Sequence, residues 1–225
     1  MRPSEPLLRA AALTSMTIAR QGHERMHLQV ETQRVSGVAM PEETDHQLLN
    51  AVAAGDVHAF ERLYRRYFRK VIGFAARITD RADLAEEVAS DTLMTVWRSA
   101  ERFEGRSRPS TWIFGIAYRI ALKARTKRGP EERYQELDDQ FPAESTGTEE
   151  VERLFLREQM GRALRTLSPE HRAVIELTYY YGHHYTEIAE IVGCPVGTVK
   201  TRMMHARRNL KQVLSAAPAA SEEDR

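Results

Sequence analysis

The stretch Thr186–Lys211, TEIAEIVGCPVGTVKTRMMHARRNLK, restricts the possible folds more than any other part of the chain. It reads as a helix, a sharp turn and a second helix. Ile188, Ala189 and Ile191 give the first helix an apolar face. Gly193 supplies a positive φ where the chain reverses, and Pro195 suits the start of a new helix. Val199, Met203, Ala206 and Leu210 then recur at three- and four-residue steps, so one stripe faces a core. Lys200, Arg202, His205, Arg207, Arg208 and Lys211 occupy the other faces, and no acidic residue lies between Gly193 and Leu214. These cations are therefore not laced into local ion pairs, as they would be on an ordinary solvated helix face. The pattern predicts a helix-turn-helix whose second helix enters a DNA major groove.

The rest of the composition says where such binding must come from. The chain has 225 residues, 33 Lys and Arg against 32 Asp and Glu, and a formal net charge of +1. It is no polybasic carrier, so contact with nucleic acid has to come from local patches. The single cysteine, Cys194, excludes an internal disulfide. No apolar run approaches the roughly 20 residues that span a bilayer, and the N-terminus carries no secretory apolar segment. A reduced cytoplasmic compartment is the expectation.

Taken in order, residues 1–43 lack lasting periodicity and read as a flexible arm. Periodicity then predicts an all-α chain of two small helical domains, 44–128 and 151–214. An acidic, flexible linker over 129–150 joins them, and 215–225 is a tail. In the first domain, helices are expected over Asp45–Ala54, from Val57 to about Ile78 with Asp56 as cap, over Leu84–Phe103, and over Trp112–Arg125. Glu104–Pro109 is a loop, with Ser110 and Thr111 able to cap the helix after it. Basic groups gather at the end of that last helix, with Trp112 and Tyr118 among them. Aromatic rings between cations can stack unpaired bases, although a helical Trp is more often core. In the second domain, helices are expected over Val151–Leu167 and His171–Tyr181, with Ser168 and Pro169 as cap and first turn. The aromatic bend YYYGHHY follows. His183, His184 and Cys194 do not make a metal set, and no cofactor motif is present.

Several runs occur together and in order: AFERLYRRYFRKVIGFAARI, DLAEEVASDTLMTVWRSAERFEG, SRPSTWIFGIAYRIALKARTKR, and the block from Ala163 to Lys211. Over roughly Asp45–Leu214 the chain resembles bacterial sigma factors of the extracytoplasmic-function group, small two-domain promoter-specificity subunits of RNA polymerase. The resemblance implies a non-enzymatic role with core polymerase and promoter DNA as partners, and an anti-sigma factor as a further one. It implies that Glu87, Asp91, Val96 and Trp97 lie on a polymerase-docking helix. Phe103, Arg106, Arg108, Trp112, Arg119 and Lys123 fall in the segment that opens and reads the −10 hexamer. Arg119 stands where the family often has Asn, so only its charge carries over. Thr186, Glu187, Thr198, Lys200, Thr201, Arg202, Arg207 and Arg208 fall in the −35-reading unit, with Arg202 the foremost base reader and Arg207 and Arg208 suited to phosphates. The rival reading is a helix-turn-helix repressor or activator acting alone. Such a protein has no need of the Leu84–Arg128 block.

Overall fold

Most helix boundaries fall where a side chain or a backbone angle starts or stops a helix. The computed structural model describes residues 43–127 and 159–216. The flexible arm before 43, the linker over 129–150, the start of the helix expected from 151 and the tail after 216 lie outside the described residues.

The first helix, α1 (Asp45–Ala53), opens on a capping box: the Gln47 amide donates to Thr44 Oγ1 at 3.3 Å, and the Thr44 amide donates to Gln47 Oε1 at 2.8 Å. Asp56 caps α2 (Val57–Thr79) by accepting from the amides of His58 at 2.8 Å and Ala59 at 3.1 Å. Asp80 ends α2 in the left-handed region at φ 60°. Next come α3 (Ala82–Ser99), a 3-10 turn (Ala100–Arg102) and α4 (Pro109–Lys127). The 3-10 turn breaks what the sequence predicts as one helix through Phe103. Ser110 and Thr111 are not caps but lie inside α4, because Pro109 with its fixed φ takes the first helical position. Central α2 packs on α1, α3 and α4 to make the first bundle. Its core includes Leu63, Val71, Phe74, Leu93, Ile113 and Ala117.

The second bundle begins, among the described residues, with helical residues 159–165 (α5). Ser168 then caps α6 (Pro169–Tyr179), accepting from the His171 amide at 3.4 Å. A bend leads to α7 (Tyr185–Val192), Gly193 turns the chain at φ 67°, and α8 (Val196–Ala216) follows. This is the predicted helix-turn-helix, with Val199, Met203 and Ala206 buried against α6 and α7. The bundles also pack on each other, α4 against α7 and α2 against α6.

Candidate nucleic-acid interface

The outward face of α8 is polar and cationic because its apolar stripe is used up in the core. Lys200, Thr201, Met204, His205 and Arg208 are exposed at helical spacing, and Thr198 is half-buried at the start of the helix. Thr201 donates its hydroxyl back to the Gly197 carbonyl at 3.0 Å. Met204 is 60% exposed. Its four-residue step from Lys200 puts the two side chains on one face of the helix. Arg207 lies to one side, its guanidinium 5.7 Å from the Tyr179 ring centroid and hydrogen-bonded to the Tyr179 hydroxyl. Arg202 is half-buried, with Nη1 3.8 Å from Cys194 Sγ in the turn.

The first bundle carries a second candidate surface. Phe103 and Trp112 are both half-buried, their centroids 5.3 Å apart, and His46 of α1 lies 5.7 Å from Phe103 on the other side. The three rings form a ledge beside the loop of Arg106 and Arg108. Trp112 is thus neither core nor free. His46 was not legible as a member, because only the packing of α1 brings it there. Arg106 is exposed and paired with Glu104 at 2.7 Å. Arg119 and Lys123 are exposed farther along α4. Tyr118 is no stacking platform: it is 4% exposed, and burial pushes its hydroxyl up to about 12.

A third surface is the acidic side of α3, where the neighbours Glu86 and Glu87 are exposed and Asp91 is exposed one turn after Glu87. Val96 and Trp97, expected on the same docking surface, are 0% and 4% exposed. Trp97 packs on Phe60 at 5.0 Å, so both residues hold the helix in place from beneath.

Thr186 is exposed, but Glu187 is turned toward the first bundle. Its Oε2 accepts from the His184 amide at 2.8 Å, which closes the start of α7. Its Oε1 accepts from Arg108 Nη1 and Thr111 Oγ1, each at 3.3 Å. Burial works against the ionised carboxyl, but the His184 amide and the Arg108 and His183 charges outweigh it and hold Glu187 below the usual carboxylate range.

The same junction contains a polar cluster that periodicity does not reveal. Arg172 of α6 is 2% exposed. It donates to the carbonyls of Leu164 at 2.9 Å, Arg165 and Leu167 at 3.0 Å, and Arg77 at 2.5 Å. Its remaining partner is the Asp80 carboxylate, which Arg125 Nη1 of α4 also reaches at 3.1 Å. Buried Glu176 pairs with Arg77 at 3.0 Å. From the aromatic bend, Tyr181 donates to the Lys70 carbonyl at 2.9 Å and packs on Phe114 at 4.5 Å. Among the described residues no group of three or more His, Cys, Asp or Glu is placed to hold a metal, and no helix is long and apolar enough to cross a membrane.

These features coincide with two known families. Residues 63–131 match the family described as Sigma-70 region 2, and residues 157–210 match Sigma-70, region 4. The RNA polymerase sigma-H factor of Pseudomonas aeruginosa is 30% identical over 78% of this chain and 96% of its own length. The ECF RNA polymerase sigma-E factor of Haemophilus influenzae is 33% identical over 75% of this chain and 94% of its own. Among solved structures, the sigma factor RpoE of Bartonella quintana in complex with the anti-sigma factor NepR is similar. It has 27% identity and a TM-score of 0.58, covering 72% of this chain and all (100%) of that one.

Proposed function

The chain belongs to the extracytoplasmic-function group of bacterial RNA polymerase sigma factors, and from that membership we propose how its surfaces divide the work of starting transcription. The acidic side of α3, with Glu87 and Asp91, docks on the polymerase core. The outward face of α8 reads the −35 element: Lys200, Thr201 and Met204 face base edges, and Arg207 and Arg208 face phosphates. The ledge of Phe103 and Trp112, with Arg106, Arg108, Arg119 and Lys123 around it, takes unpaired −10 bases. Separating base steps costs a few kcal/mol each, offset by stacking and phosphate contacts. No bond is made or broken by the protein.

The observation that carries this reading is the pairing, in order on one chain, of the two matched regions with exposed surfaces of opposite charge. Region 2 presents acids on α3 and region 4 presents cations on α8. A separate repressor or activator has no use for the first of these. By analogy with the Bartonella relative, an anti-sigma protein is the expected regulator of this chain, which acts in the same compartment as polymerase.

The test is transcription in vitro with core enzyme over a randomised promoter library, alongside co-purification with core. Selective initiation from enriched −35 and −10 sequences supports the reading. Duplex binding with neither core association nor initiation reduces the protein to a plain DNA-binding regulator.

A further inference from the structure

We propose that the two bundles mask each other in the free protein: the start of α7 occupies the cleft through which the first bundle takes single-stranded DNA. The Glu187 carboxylate sits there in place of a backbone phosphate. The proposal rests on the strand-capture role given above to the Phe103–Arg108 segment.

A cleft of about 350 Å³ opens beside the aromatic ledge. The first bundle lines it with His46, Arg106, Ser107 and Arg108, and the second bundle supplies Glu187 and Glu190. Thus two cations meant for an anionic strand face two carboxylates of the same chain. Glu187 makes the contacts a phosphate oxygen would make: a guanidinium at 3.3 Å and a hydroxyl in the first turn of α4 at 3.3 Å. DNA cannot take these donors while Glu187 holds them.

The placement is close, not incidental. A Cβ built on Gly115 of α4 would lie 3.8 Å from Ile191 Cα and 3.9 Å from its carbonyl oxygen. The helix backbones therefore meet with nothing between them. An alanine fits at that spacing, and a leucine must push α7 away. Behind this contact, buried Arg172 and Glu176 of α6 reach across to Asp80 and Arg77 of the first bundle. Both pairs join charges across the junction, and their mutual attraction is lost when the bundles separate. The junction is thus specific, yet it contains polar groups that water can take over once it opens.

The free full-length protein and two opening variants, Gly115→Leu and Asp80→Asn, test this. Asn tolerates the left-handed backbone of position 80 and removes only the charge. Gly115→Ala is the control. Small-angle X-ray scattering reads compactness, and circular dichroism reads helix content. Anisotropy with a short fluorescein-labelled DNA single strand of random sequence reads strand capture. A compact wild type is expected, with at least one helical, expanded variant binding the strand about tenfold tighter, as when the open form is about a tenth of the free population. Gly115→Ala matches the wild type. A wild type that is already extended, variants that stay compact, or an expanded variant that binds no tighter overturns the masking. Adding Phe103→Ala to an open variant separates the two ideas. If it leaves strand affinity untouched, the strand-capture role itself fails, whatever the compactness.

Discussion

Replacing Asp80 by Asn removes the carboxylate that Arg172 and Arg125 share, at a left-handed position both residues tolerate. Arg172 keeps its carbonyl partners on Leu164, Arg165, Leu167 and Arg77, so its side chain does not leave the site. Its charge is then left 2% exposed with no carboxylate from Asp80 beside it. Breaking a fully buried pair costs about 3–5 kcal/mol, but the Asp80 side chain is 18% exposed, and water partly replaces it. The expected loss is therefore about 2–3 kcal/mol. Asp80→Ala should cost about 1 kcal/mol more, because an alanine Cβ is strained at φ 60°. Asp80→Gly should recover that increment. Urea unfolding followed by circular dichroism measures the series, with the slope checked for a second transition as the bundles uncouple. If Asp80→Asn unfolds at the wild-type midpoint, the ion pair contributes nothing, and burial has been misread as coupling.

Charge reversal at Asp91 should weaken core-polymerase binding about tenfold while −35 duplex binding stays unchanged; unaltered core affinity in a pull-down titration removes α3 from the interface. Phe103→Ala should cost about 1–3 kcal/mol in capture of an unpaired −10 strand, read by 2-aminopurine quenching, with duplex affinity as the internal control. Arg208→Ala should weaken binding evenly across promoter sequences and reduce the salt slope by about 1, whereas Lys200→Ala should also relax selection at one base pair. The His183 imidazole, buried against Phe114 at 5.5 Å with its Nδ1 3.6 Å from Glu187, is held below its ordinary value. Burial dominates, Glu187 opposes it, and the Arg108 and His184 charges add to it. The unfolded chain therefore takes up this proton first, near pH ~6.5. The stability is complete above that pH and lost as pH falls below it. Melting temperatures of wild type and His183→Phe should diverge on acidification, and parallel profiles would contradict the assignment.

Local chemistry was enough to read much of this protein from its residues. Asp56, Ser168 and Gly193 act through atoms within a few residues of themselves, so their caps and turn follow from the sequence alone. The α8 stripe follows too, because a helix period needs only one helix to be seen. Where local signals compete, a neighbour decides: Pro109 starts α4 and draws Ser110 and Thr111 inside it. Long-range packing is a different matter. Nothing in the periodicity of α6 says that Arg172 will be sealed against Asp80, or that Arg202 will lie beside Cys194 while Met204 faces outward. His46 and Phe103 are far apart along the chain and meet only when α1 docks on the bundle. The sequence by itself determined the helices, their order and the family. Tertiary structure alone decided which charges face water and which face each other, because a side chain's partner is set by the summed fit of all the helices around it.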